Sequence, residues 1–169
     1  MLLVACSRAV PAPQPYPLLD GRCDEYPAVP HEQHVIARDV ALFVFQDRDY
    51  VWLCVTLPPN ELGALDLDIA APGLAAPLDL HASAQLGEWP VGTAPPDDAA
   101  SDRWGNQRGW TALTVPFHGM RDGAPAFAHP LARELQLAKQ RFGRGAWQLR
   151  LHLWLAAGEV SAPFAVVAR

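Results

Sequence analysis

The chain has 169 residues, a formal net charge of −5 and only 18% charged residues. That allows one domain with one sizeable core and argues against nucleic acid or an anionic membrane surface as partner. Lys139 is the only lysine and no Lys/Arg cluster occurs, while seventeen Pro and twelve Gly break the sequence into short pieces, so an all-β domain with frequent turns is expected.

Residues 1–17 read as a segment apart from a domain at 18–169. Leu3-Val4-Ala5-Cys6 has the form of a bacterial lipobox and resembles the end of a lipoprotein signal peptide, truncated because only five residues precede Cys6. On this reading Cys6 carries the lipid and Ser7 to Pro17, with four prolines, is the tether; otherwise the segment is a frayed Pro-rich tail. Ser7 in place of Asp favours the outer membrane by the same resemblance. The expected location is therefore the periplasm or outer membrane, with membrane contact through the lipid anchor alone, since no other run of about 18 to 20 apolar residues occurs. Cys23 and Cys54 then remain as an even pair. They form either a disulfide across a loop of about 30 residues, contributing about 3 kcal/mol, or two buried thiols that pack as small apolar groups.

Within the domain, Leu18-Leu19-Asp20-Gly21 gives an apolar entry and an Asp-Gly turn, followed by Arg22-Cys23-Asp24-Glu25-Tyr26. Val40 to Leu57 reads as two strands joined across Asp47-Arg48-Asp49. Val51, Leu53, Val55 and Leu57, with Phe43 and Phe45 from the partner strand, are expected to wall the core. The opposite parities, Val40, Leu42 and Val44 with Tyr50, Trp52 and Cys54, are also largely apolar, so a second covering layer is expected. Leu65, Leu67 and Ile69 alternate with Asp66 and Asp68 as a half-buried strand. After Pro72-Gly73, one long strand from Leu78 to Leu86 sets Asp79, His81, Ser83 and Gln85 on its outer face. Residues 87–109 read as a loop carrying Trp89 and Trp104, and Trp110 to Phe117 as a strand. Gly119 to Pro130 reads as irregular. Leu131 to Phe142 fits either a helical face or a strand. Trp147, Leu149, Leu151, Leu153 and Leu155 line one face of an amphipathic strand, with Arg150, His152 and Trp154 on the other, and Ala162 to Ala168 closes the chain. The whole is a single two-sheet antiparallel β-sandwich, jelly-roll-like in character.

Three stretches carry a resemblance to family 9 carbohydrate-binding-module-like domains of the DOMON-like sandwich group. They are Leu19-Asp20-Gly21 with Asp24-Glu25-Tyr26, the Asp-containing turn before Tyr50-Val51-Trp52-Leu53, and Arg141-Phe142-Gly143 with Trp147. Tyr26 stands where the family usually has Trp. The resemblance spans most of 18–167 and implies a β-sandwich, a short strand followed by one helical turn at Ala138 to Phe142, and saccharide binding without catalysis. It also includes members with structural calcium, for which loop carboxylates Asp20, Asp24, Asp47, Asp49, Asp97, Asp98 and Asp102 supply the right oxygens. Their spacing is not diagnostic, and no metal ligand is assigned.

No G-x-S-x-G, phosphate-cradling Gly loop, H-E-x-x-H or C-x-x-C occurs, so no catalytic residue is assigned and no enzyme is expected. The acid pairs Asp66/Asp68 and Asp97/Asp98 read as a solvated strand face and a solubilising loop. Six tryptophans are many for one domain. Trp52 and Trp147 read as core, whereas Trp89, Trp104 and Trp110 bracket a polar loop with Asn106, Gln107 and Arg108, the combination that stacks on and bonds to a sugar. The expected ligand site is therefore Trp89, Trp104 and Trp110 with Asn106, Gln107 and Arg108. The competing readings are an envelope protein-interaction or structural domain, and a haem-binding relative using His118 and Met120 or other histidines.

Overall fold

The computed structural model of the protein describes residues 16–98, 101–105 and 108–169; Cys6, Asn106 and Gln107 lie outside them. In chain order the strands are β1 (His31–Ala37), β2 (Val40–Gln46), β3 (Tyr50–Thr56), β4 (Ala64–Ala70), β5 (Leu78–Ala82), β6 (Leu86–Pro90), β7 (Trp110–Ala112), β8 (Phe117–Arg121), β9 (Ala124–Phe127), β10 (Ala132–Ala138), β11 (Gly145–Leu155) and β12 (Gly158–Ala168). A single helical turn, α1 (Lys139–Phe142), separates β10 from β11. The strands form two five-stranded antiparallel sheets, ordered β1-β2-β3-β10-β7 and β12-β11-β4-β5-β6, with β8 and β9 as a separate hairpin. The protein is an all-β, two-sheet sandwich.

The core lies between the sheets. The register of β2 on β3 pairs Leu42 with Val55 and Val44 with Leu53, so these residues share the inward face and pack with Leu135 and Leu137 of β10. Across from them stand Leu65, Leu67 and Ile69 of β4 and Trp147, Leu149, Leu151 and Leu153 of β11. Full burial of each aliphatic side chain contributes roughly 1.5–3 kcal/mol. This corrects the expected parity of the hairpin: Phe43 pairs with Cys54 and Phe45 with Trp52, on the opposite face from Val51 and Leu53. Alternation within each strand was plain, but both parities are apolar, and only the register decides which parities share a face.

That second face is covered, as the apolar parities require. Residues from Gly21 to Val29 fold over it, with Tyr26 and Val29 buried against Phe45, Cys54 and Ala132. Cys23 is disulfide-bonded to Cys54, which fastens the layer to β3. Beneath it lies Glu134, fully buried, whose Oε2 accepts the Gly21 backbone N–H at 2.6 Å. The Glu134 carboxyl is pushed up to about 7, first by burial and then by the charges of Asp20 and Glu25, against the bonds it accepts from the backbone of Gly21 and Asp20.

Four other expectations change. The strand through residues 78–86 breaks at Ser83–Gln85, where the Ser83 N–H donates to the Gln85 carbonyl and the chain reverses into β6. Trp89 is thereby inside a strand rather than in a loop. The Trp110–Phe117 strand stops at Ala112, and the irregular stretch 119–130 contains the β8–β9 hairpin. The polar edge strand β1, HEQHVIA, has no inward hydrophobic period long enough to be read from the sequence. By contrast, Leu131 to Phe142 resolves into the strand β10 and one helical turn, the strand pattern rather than a continuous helical face.

Candidate functional site

Alternation that buries Leu65, Leu67 and Ile69 turns Asp66 and Asp68 of β4 outward, and likewise presents Asp79 and His81 from β5 and Gln148, Arg150, His152 and Trp154 from β11. Pairing registers align them in rows across the sheet. One row runs His152, Asp66, His81 and Gly87; the next runs Arg150, Asp68, Asp79 and Trp89. Neighbouring side chains in such rows are close enough to bond directly.

Asp66 links two of these groups. Its Oδ1 lies 2.5 Å from His81 Nδ1, and its Oδ2 accepts the Trp154 indole N–H at 2.6 Å. Because a carboxylate offers acceptors only, the His81 proton belongs on Nδ1, which leaves Nε2 to accept from the Ser83 hydroxyl, 2.8 Å away. His152 sits between Glu159, at 2.5 Å, and Asp68, at 3.5 Å. Burial works against its charged form, but Glu159 and Asp68 outweigh burial and raise the His152 pKa. Beside these groups a shallow depression of about 270 Å³ is lined by Asp68, Pro77, Val91, Gln148, Arg150 and Pro163 among others. Trp154 stands on the same face with 48% of its surface exposed.

The tryptophans expected to stack on a ligand divide. Trp89 is only 2% exposed and Trp110 only 5%, so neither presents a flat indole to solvent. The Trp89 N–H donates to Asp79 Oδ2 at 2.9 Å, and the Trp110 N–H donates to Glu88 Oε2 at 2.8 Å. Sequence places both beside polar loop residues, but Trp89 lies on the outer sheet face under Trp104 and Trp110 packs into the core, each with its indole N–H on a carboxylate. Asp79 Oδ1 has no partner among the described residues, and burial, followed by the nearby Asp66 charge, pushes the Asp79 carboxyl up to about 6.

Trp104 is half-buried at the free edge of β6. Residues 103–105 run along that edge through an isolated bridge to Gly87, with the Gly105 N–H donating to the Leu86 carbonyl at 2.8 Å. Its ring stands edge-on to Trp89, with centroids 5.3 Å apart, and edge-on to His81 at 5.5 Å. Arg108 is exposed, and its backbone carbonyl accepts from the Arg141 guanidinium. Of the six residues expected to form the site, Trp104 and the covered Trp89 join the polar sheet face, whereas Trp110 packs in the core; Asn106 and Gln107 lie outside the described residues. The sequence sets Asp66 and Asp68 on a solvated strand face and His81, Ser83 and His152 on outward strand faces, without joining them into a site. Their alternation was visible, whereas their convergence depends on pairing between strands distant in sequence.

Among the described residues no group of three His, Cys, Asp or Glu side chains is placed to hold a metal ion. Asp47, one of the calcium candidates, caps the hairpin turn by accepting the N–H groups of Asp49 and Tyr50 at 2.7 Å, and it also accepts the Trp52 indole N–H. His118 and Met120 lie on the exposed strand β8. No family model matches the chain, and neither a curated protein nor a solved structure matches it.

Proposed function

We propose that the protein binds a saccharide on the outer face of the β12-β11-β4-β5-β6 sheet and leaves its glycosidic bonds intact, in the manner of the carbohydrate-binding modules its sequence resembles. The observation that carries this reading is Trp154, half exposed and oriented by its N–H bond to Asp66. A sugar ring offers an apolar C–H face to such an indole and hydroxyls to the polar groups around it. Asp68, Gln148, Arg150 and His152 supply donors and acceptors within the adjoining rows. Both acids at the centre of the face are engaged by neighbouring side chains, Asp66 by His81 and Trp154 and Asp68 by His152, which favours binding over glycosidic acid–base chemistry.

The module would act at a bacterial envelope, tethered through Cys6. The Cys23–Cys54 bond supports an oxidising compartment. Calorimetric titration with a panel of oligosaccharides tests the reading: one or more should give saturable heat that Trp154→Ala abolishes or weakens about tenfold, while the thermal midpoint holds. Absence of heat across the panel would remove it.

A second reading, docking to an envelope protein, is favoured by the apolar exposure of Phe117 and Met120 on the β8–β9 hairpin. Capture of a partner from envelope extract that persists in excess sugar and fails with Phe117→Ser would support it.

A further inference from the structure

The row of bonds Asp66, His81 and Ser83 has a chemical capacity that saccharide binding does not use. Asp66 Oδ1 lies 2.5 Å from His81 Nδ1, and His81 Nε2 lies 2.8 Å from Ser83 Oγ. An acid orients an imidazole whose free nitrogen faces a hydroxyl, and such a relay is recognised by geometry and roles rather than by order in the chain. Ser83 and Ala84 border a cavity of about 250 Å³ whose other walls include Leu62, Val115 and Phe127. At the roughly 30 Å³ that a water-sized group occupies in a liquid, this space holds about eight such groups, which suits a short acyl chain.

We propose that Ser83 is a nucleophile for small carboxylic esters, with His81 as its general base and Asp66 as the residue that positions the imidazole. Ser83 Oγ bonds to the acyl carbon as its proton passes to His81 Nε2. The ester C–O bond then breaks, and the departing alkoxide takes that proton. Water attacks the acyl-serine, gives a proton to Nε2 and releases the carboxylic acid as Oγ regains its hydrogen, so no further reactant is consumed. As the amide after the nucleophile, the backbone N–H of Ala84 is the group assigned to the oxyanion. The purely structural role of Ser83 is to close the β5–β6 turn, where its Oγ also lies 3.3 Å from the Gln85 amide nitrogen.

The inference does not rest on saccharide binding, and its readouts need no sugar. The protein is treated with a fluorophosphonate probe and digested, and hydrolysis of p-nitrophenyl acetate and butyrate is followed against pH. Expected are a probe adduct on the peptide containing Ser83 and turnover of both esters above the uncatalysed rate. Ser83→Ala and His81→Gln should each lower the rate on the order of a hundredfold or more. Val115→Phe, which fills the cavity, should reduce butyrate turnover relative to acetate. An unlabelled Ser83 in the unaltered protein, or Ser83→Ala turning over at the same rate, would overturn the proposal and leave Ser83 as a turn residue; the labelling arm decides even if a variant fails to fold.

Discussion

Glu88 holds Arg141 with both carboxylate oxygens: Oε1 accepts from Nη2 at 2.9 Å and Oε2 from Nη1 at 2.7 Å, while Oε2 also takes the Trp110 indole N–H. The pair joins β6 of one sheet to the helical turn that follows β10 of the other. Both side chains are largely shielded, so the guanidinium would be left without its counter-charge if Glu88 were removed. Glu88→Ala should therefore destabilise by about 3 kcal/mol, at the low end for breaking a buried pair, and lower the thermal midpoint by about 6–12 °C. Glu88→Gln keeps an acceptor for Trp110 and should cost less. Calorimetry gives the midpoints, and a red-shifted tryptophan emission in Glu88→Ala alone would report the loosened indole.

The layer from Gly21 to Val29 is fixed to β3 by the Cys23–Cys54 bond, which closes 31 residues of sequence separation. On the chain-entropy account, opening that loop costs about 3–4 kcal/mol. Urea unfolding should show the midpoint falling by the same amount on reduction and in a Cys23→Ser/Cys54→Ala double variant. Phe43 and Phe45, covered by this layer, should then become accessible to a hydrophobic dye. An unchanged midpoint on reduction would mean that packing by Tyr26 and Val29 holds the layer unaided.

The sandwich was legible because strands such as Leu65–Ile69 and Trp147–Leu153 alternate cleanly, and alternation is a property of single strands. What the sequence could not supply was pairing. Phe43 and Val51 were assigned to one face because each strand is apolar on both parities, and only the β2–β3 register separates them. Trp89 and Trp110 read as loop platforms because their flanks are polar, yet their indole N–H groups bond carboxylates 10 and 22 residues away, Asp79 and Glu88, which only strand pairing brings beside them. Asp66 and His81 are 15 residues apart, so their contact was visible only after β4 and β5 had been placed side by side.

Stability should fall with pH across the neutral range. Glu134 titrates at about 7 in the folded protein against an ordinary 4.5, so between those values the folded state keeps a proton that the unfolded chain has released. The unfolded state binds fewer protons there, and the free energy of unfolding declines as pH rises from about 4.5 to about 7, by an amount on the order of 3 kcal/mol, then levels off. Asp79 acts with the same sign between 3.8 and about 6. Glu134→Gln retains an acceptor for the Gly21 N–H and should flatten most of the slope in urea titrations at pH 4.5, 6 and 7.5. A wild-type slope of opposite sign would contradict the buried carboxyl.

Gly87 separates packing from backbone freedom at the site. A Cβ placed there would fall 2.7 Å from the Trp89 ring and 2.8 Å from the Trp104 ring, with no left-handed backbone torsion at that residue. Trp89 is held by Asp79, so Trp104 must yield and move away from His81. Gly87→Ala should cost about 1–3 kcal/mol by overpacking and reduce the near-ultraviolet tryptophan circular dichroism. Gly92 provides the contrast: its φ is +83° and nothing lies within 4 Å of an added Cβ. Gly92→Ala should therefore lose about 1–2 kcal/mol through backbone strain while leaving the tryptophan signal unaltered. Equal spectra for the two variants would show that Trp104 does not depend on the bare backbone of Gly87.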